Sequence, residues 1–208
     1  EMVMAEADIA YQLRPVDIMK NEHRTPEFLN INPAGWVPAL VTPEGEHLFE
    51  TPAINLYLAE RHELTHLAPA AGDPDRGMFL SGFFSLTGEL EPAMKRVFYA
   101  HRYVVRPQDT AAAKQLALDA ALERLQVIEE RLGKAGPYYL GERFSLIDLT
   151  LTYWTGSFAS QDLLEPFPAT CACQALVRAR PKLQAHFAQL DEMRVNYAAL
   201  QTNGQGAK

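Results

Sequence analysis

The sequence predicts an α/β segment followed by an all-helical one, and three observations support this. Strand-like runs and turns fill the chain before residue 70, whereas Ala, Leu and helical spacing fill the rest. Charge divides at the same place: residues 1–69 carry 4 Lys/Arg and 11 Asp/Glu, and residues 70–208 carry 15 of each sign. Between them lies Ala68-Pro69-Ala70-Ala71-Gly72-Asp73-Pro74-Asp75, a stretch of linker composition. The expected units are residues 1–66 and 75–201. There is no internal repeat, and the small polar tail, residues 202–208, is expected to fray.

Taken in order, Glu1–Ala10 reads as the end of a helix. Tyr11–Ile18 is rich in β-formers and is expected to be a strand, with Pro15 at an edge or bulge. Thr25 caps a short turn that has Pro26 at its first position. Ala39–Thr42 and His47–Phe49 flank Pro43-Glu44-Gly45-Glu46, a hairpin signal. Thr51-Pro52 then opens a helix, with a hydroxyl cap, Pro in the first turn, and Ile54, Tyr57 and Leu58 on one face.

Beyond the linker, Ala111–Leu132 is the clearest helix. Leu118, Leu122, Leu125, Ile128 and Leu132 follow helical spacing, and Gly133 and Gly136-Pro137 are expected to stop it. Leu149-Thr150-Leu151-Thr152-Tyr153 alternates as a strand would. Ser145-Leu146-Ile147-Asp148 in front of it has the form of a capping box and favours a helix. Arg178–Met193 is expected to form another amphipathic helix.

The composition narrows the function classes. Apolar residues make up 48% and charged residues 22%, as in ordinary globular chains. A net charge of −7 argues against a general nucleic-acid binder. No apolar run approaches the roughly 20 residues that span a bilayer, so no membrane partner is expected. No signal peptide is visible, and two cysteines, Cys171 and Cys173, cannot make a disulfide framework. A reducing, cytoplasmic location is the expectation.

The segment Asn32-Pro33-Ala34-Gly35-Trp36-Val37-Pro38-Ala39-Leu40, followed by Glu50-Thr51-Pro52-Ala53-Ile54, resembles the N-terminal domain of the bacterial-type glutathione S-transferase family. That family's pattern is N-P-x-G-x-V-P-A-L, a hairpin, then E-[ST]-x-A-I before a helix. Gly141-Glu142-Arg143-Phe144-Ser145-Leu146-Ile147-Asp148 is similar to the family's C-terminal capping motif. The resemblance covers nearly the whole chain. It implies a thioredoxin-like α/β domain (1–66), an all-α domain (75–201) and a homodimer. It also implies glutathione as co-substrate, no metal, and a detoxifying attack of the glutathione thiolate on small electrophiles.

Glutathione carries two carboxylates and an amine, and a helix N-terminus offers free N–H groups and a positive dipole end. The Thr51 amide and hydroxyl could hold the γ-glutamyl carboxylate, and Glu50 could accept the amine. The resemblance implies that Val37 pairs main chain to main chain with the cysteinyl unit and that Pro38 is cis. It also places a His or Gln at the glycyl carboxylate, a role His23 could fill. Trp36 departs from the Lys or Gln that many members carry, and offers a single indole N–H. Glycyl recognition then moves to His23 and Arg24.

The family places its catalytic Tyr, Ser or Cys near the first strand's end, where it stabilises the thiolate. A βαβ unit takes roughly 30 residues, and only ten precede Tyr11. The first strand is therefore expected to be missing, the chain to be N-terminally incomplete, and the catalytic residue to be unassignable. The alternative is a non-catalytic binding or interaction module of the same fold. Within the family, conjugation, peroxidase, dehalogenase and isomerase chemistry all stay open.

Other motifs carry two readings each. His62-Glu63-Leu64-Thr65-His66 matches the zinc-protease pattern H-E-x-x-H, but it falls where a helix is ending and lacks a third ligand, so a helix cap is the simpler reading. Cys171 and Cys173 at i, i+2 face apart on a helix and read as inert. Lys95, Tyr99, Arg102 and Arg106 recur on one helical face. That face is either solvated or interfacial, or it draws an anionic co-substrate to a second pocket lined by Tyr99 and Arg102. Phe98 and Tyr103 lie off the stripe and are expected to line the core.

Overall fold

The computed structural model describes residues 1–158 and 161–193. It opens with a short helix, α1 (Met2–Glu6). Tyr11–Ile18 does not form the expected strand and runs as irregular chain. A strand persists only where its N–H and C=O groups meet a neighbour. Among the described residues the one sheet is the pair β1 (Ala39–Val41) and β2 (His47–Phe49), and neither forms a ladder with it.

Local chemistry shapes the segment between Asp17 and the hairpin. The Asp17 carboxylate accepts the amides of Met19 (3.0 Å) and Lys20 (3.2 Å), turning the chain toward Asn21, which has φ 60°. Helix α2 (Pro26–Ile31) starts as expected: Pro26 leads, and the Thr25 hydroxyl accepts from the Phe28 amide at 3.4 Å. The hairpin pairs Ala39 with Phe49, Leu40 with Leu48 and Val41 with His47. Gly45, at φ 85°, closes its turn in a conformation that costs a Cβ-bearing residue more.

Helix α3 (Thr51–Arg61) comes next, with Ile54 and Leu58 buried. Thr51 is its first helical residue, not its cap. The capping position belongs to Glu50, at φ 68°, and no side chain closes that end. The helix α4 (Arg76–Ser85) continues through a wide turn at Leu86–Leu90 into α5 (Glu91–Phe98). Pro92 has no N–H for the Gly88 carbonyl four residues back, and the turn widens there to clear its ring.

Helix α6 (Thr110–Ala135) runs past Gly133, which does not stop it; Gly136-Pro137, joined by a cis peptide, does. Its fully buried stripe is Ala117, Ala121, Leu125, Ile128 and Leu132. Leu118 and Leu122 are only partly covered, because two alanines take the core-facing positions of the first turns. Helix α7 (Leu146–Thr155) has its capping box: Asp148 accepts from the Ser145 amide (2.8 Å) and hydroxyl (3.0 Å), and the Ser145 hydroxyl from the Ile147 amide (3.2 Å). Helix α8 (Pro168–Arg178) ends where the expected helix Arg178–Met193 was to begin. Pro181 opens a separate tight turn, and helix α9 occupies 184–193. The tail 202–208 lies outside the described residues.

One apolar core joins Val3, Ile54 and Leu58 to Phe79, Phe83, Leu125, Ile147 and Leu183. The Ala68–Asp75 stretch is braced. Arg143 pairs with Asp73 (2.8 Å) and Asp75 (3.2 Å) and donates to the Thr65 carbonyl, while the Leu146 amide donates to the Leu67 carbonyl at 2.9 Å. At the far end, Arg180 pairs with the buried Glu6, which ties α1 to the helical part. No helix of the described residues is long and apolar enough to cross a membrane.

Candidate functional site

The register of the hairpin sets the geometry. Ala39 faces Phe49, so Val37-Pro38, just before β1, and Glu50-Thr51, just after β2, leave the sheet at the same open end. Paired strands lie roughly 4.8 Å apart, which makes these two dipeptides neighbours. The Val37–Pro38 peptide is cis. Val37 is 44% exposed, and among the described residues neither its amide nor its carbonyl has a backbone partner.

At α3, the Ile54 amide makes the first helical bond, to the Glu50 carbonyl at 3.0 Å. The amides of Thr51 and Ala53 therefore have no acceptor within the helix, and Pro52 has no N–H to satisfy. Glu50 and Thr51 are exposed. The positive φ of Glu50 is a sparsely populated conformation for a residue with a Cβ, of the kind that gathers at ligand clamps.

Asn32 holds the loop before Val37. It is 2% exposed; its Nδ2 donates to the Trp36 carbonyl at 2.6 Å, and its Oδ1 accepts from the Ala34 amide at 3.0 Å. The Arg24 guanidinium donates to the Ala34 carbonyl at 3.3 Å and lies 5.0 Å from the Trp36 ring centroid. Gly35, at φ 65°, lets this approach happen: a Cβ there would sit 2.6 Å from Arg24 Nη1. Sequence reasoning missed Asn32, although the Asn-Pro-x-Gly turn that carries it is the usual signal for a side chain bonding its own loop.

Four of the expected site residues come together. The His23 and Trp36 rings are 6.4 Å apart and inclined by 27°. Arg102 stands 4.3 Å from the Tyr99 ring and 5.8 Å from the Trp36 ring. The His23 Nδ1 is buried without a hydrogen-bond partner. Residues from the two halves of the chain thus meet on one indole, which is itself 49% exposed.

The longer stripe does not survive. Helix α5 ends at Phe98, and Ala100–Arg102 form a tight turn, so Lys95, Tyr99, Arg102 and Arg106 share no single helical face. Lys95 pairs with Glu91 at 2.6 Å and Arg106 with Asp109 at 2.8 Å. Phe98, the last residue of α5, and Tyr103, beyond its end, are 45% and 59% exposed and do not line the core.

His62-Glu63-Leu64-Thr65-His66 is not helical. Helix α3 ends at Arg61, His62 caps it and Glu63 takes φ 52°, so the two histidines share no helical face. Cys173 is buried against Asp148, its sulfur 3.5 Å from Oδ1. Burial first, then that carboxylate, pushes its thiol well above the ordinary range, away from reactivity. Burial also raises Cys171, with Glu129 adding to it.

Comparison with known proteins gives the same outline. The family model for the glutathione S-transferase N-terminal domain matches residues 1–60, and the C-terminal domain model matches 108–189. The chain is 30% identical over 194 residues to the disulfide-bond oxidoreductase YfcG of Escherichia coli, covering 86% of this chain and 84% of that one. Among solved structures, a glutathione transferase homologue from Sulfitobacter with bound glutathione is 25% identical and superposes with a TM-score of 0.77 over 90% of each chain. The glutathione transferase URE2P8 of Phanerochaete chrysosporium, at 22% identity, shares the fold with a TM-score of 0.82, over 93% of this chain and 89% of that one. With both domain models in order, a relative 30% identical over most of both chains, and the thioredoxin-like plus helical fold, the chain belongs to the glutathione S-transferase family.

Proposed function

We propose that the chain binds glutathione along the open end of the β1–β2 hairpin and delivers its thiolate to a small electrophile held against the helical part. The observation that carries this reading is the shared edge of Val37–Pro38 and Glu50–Thr51 set by the Ala39–Phe49 pair. An extended tripeptide laid there exchanges main-chain hydrogen bonds with Val37, as an added strand would. Its γ-glutamyl carboxylate meets the free amides and the hydroxyl at the start of α3, and its amine meets Glu50.

The reaction forms a carbon–sulfur bond. The thiolate attacks the electrophilic carbon, and the leaving group departs with the bonding pair. Holding the tripeptide at its γ-glutamyl end and along its main chain turns an encounter into an oriented approach. The residue that lowers the thiol pKa is not assigned within this chain. The proposal extends to a glutathione-binding unit at 1–66, a helical unit at 75–201, a homodimer, and a cytoplasmic site of action.

The test is retention on glutathione-agarose together with turnover of 1-chloro-2,4-dinitrobenzene. Thr51→Val is expected to raise KM for glutathione about tenfold, the weight of one charge-assisted hydrogen bond, while Thr51→Ser stays near wild type. The non-catalytic module is the second reading, favoured by Tyr11–Ile18 forming no strand. Retention without turnover would select it. Reduction of a mixed disulfide without conjugation would align the chain with its Escherichia coli relative instead. Unchanged behaviour of Thr51→Val would end the present reading.

A further inference from the structure

The junction between α5 and α6 carries one sign of charge. Residues 92–108 hold Lys95, Arg96, Arg102 and Arg106 and no Asp or Glu, in a chain whose net charge is −7. Glu91 and Asp109 stand at the two ends, where they pair with Lys95 and Arg106. Arg96 is exposed and forms no ion pair among the described residues; its guanidinium lies 5.8 Å from the Tyr103 ring centroid. Tyr99 and Arg102 face Trp36 and belong to the site already described, whereas Arg96 and Tyr103 contact each other.

The same stretch gathers exposed apolar side chains. Phe98 and Tyr103 are about half exposed, and Val105 is 100% exposed, more than any other large apolar side chain among the described residues. Single exposed apolar residues are ordinary, but three within eight positions, at one turn, mark a contact surface. The turn that presents them is fixed. The Arg102 amide donates to the Tyr99 carbonyl at 2.8 Å, the Tyr103 amide donates to the Ala100 carbonyl at 3.0 Å, and Ala100 is buried.

A bare aliphatic side chain among aromatics and guanidinium groups matches one partner, a bilayer surface bearing anionic lipids. Head-group phosphate and carboxylate oxygens take the guanidinium N–H donors. Phe98 and Val105 leave water for the acyl boundary, and a tyrosine suits that boundary because one end of it is apolar and the other wet. Nucleic acid fits less well: Val105 has no π face to stack on a base, and Arg96 already occupies one face of Tyr103. No helix of the described residues is long and apolar enough to cross a membrane, and a surface contact needs none. We propose that the α5–α6 junction, through Arg96, Phe98, Tyr103 and Val105, docks the protein on anionic lipid surfaces. This surface does not depend on the glutathione reading.

The full chain is sedimented with vesicles of phosphatidylcholine alone or with about 30% phosphatidylserine added. Partitioning to the anionic vesicles is expected to be at least about fivefold stronger at about 0.1 M salt, with the difference lost at about 0.5 M. Arg96→Gln weakens it about fivefold, and Val105→Asp about tenfold, since it removes the apolar contact and adds a like charge. Val127→Asp, at an exposed position about 25 Å along α6, changes nothing. In vesicles with brominated acyl chains, Val105→Trp emission is quenched more than that of the wild type, which reports insertion at this position.

Equal partitioning to neutral and anionic vesicles overturns the proposal, as does a Val105→Asp protein that binds like the wild type. If no vesicle binding occurs and Val105→Asp instead weakens self-association in sedimentation equilibrium, the surface belongs to a second copy and the proposal fails. Arg96-dependent binding of a short single-stranded oligonucleotide, without vesicle binding, assigns the surface to nucleic acid and also overturns it. Glutathione retention and circular dichroism are expected to be the same for Val105→Asp, Arg96→Gln and the wild type, which checks that the variants fold.

Discussion

Asn32 offers the sharpest test of how this site is held. Its side chain spans the loop, giving one hydrogen bond to the Trp36 carbonyl at 2.6 Å and taking one from the Ala34 amide at 3.0 Å. Asn32→Ala removes both, at about 1 kcal/mol each. The position is 2% exposed, so water does not fully replace what is lost, and a stranded polar group adds about 1–2 kcal/mol. The total is roughly 3–4 kcal/mol, or about 6–16 °C in Tm for a chain of this size. Because the loop carries Val37, glutathione affinity should fall severalfold as well.

Asn32→Asp separates this account from a mere loss of volume. The carboxylate keeps the bond from Ala34 but faces the Trp36 carbonyl with no proton to give. At neutral pH it should be at least as destabilising as Asn32→Ala, and it should recover as pH falls toward about 4 and the acid regains a donor. Thermal unfolding followed at 222 nm between pH 4 and 8 measures both. An Asn32→Ala protein within about 0.5 kcal/mol of wild type would refute the reasoning, as would an Asn32→Asp protein without pH dependence.

Other predictions concern the frame around the site. The Glu129 carboxylate on α6 accepts the Ala169 and Thr170 amides and the Thr170 hydroxyl, all at 2.8 Å, and so closes the start of α8. Glu129→Gln should cost about 1–2 kcal/mol in a urea titration, since it removes a negative charge from a helix N-terminus. Gly35→Ala combines a left-handed φ with a Cβ 2.6 Å from Arg24 Nη1. It should cost about 1–2 kcal/mol and displace Arg24 from the indole, seen as a changed Trp36 emission. The Asp73 carboxyl is held below its usual 3.8, first by the Asp75 amide and then by Arg143. A depressed pKa means that its contribution is present above about pH 4 and disappears as pH falls through the lower folded value. The stability difference between wild type and Asp73→Asn should therefore shrink below that pH, and a difference that grew would contradict the clamp.

What the sequence alone determined is local. The Thr25-Pro26 start of α2, the hairpin, the box at Ser145–Asp148 and the body of α6 were all legible, because each is set by hydrogen bonds and side-chain spacing within a few residues. The motifs around Pro38 and Thr51 were read through their resemblance to a known family and not from local spacing. Tertiary structure decided what depends on partners. Tyr11–Ile18 has strand composition but, among the described residues, no partner strand. The buried side of α6 is chosen by the helices packed on it, which need Ala117 and Ala121 to come close. Helix α5 stops before Tyr99, and this places Arg102 against Trp36, a residue of the other half of the chain. Periodicity carries no information about that meeting, since it arises from how two separately coded units pack on one core.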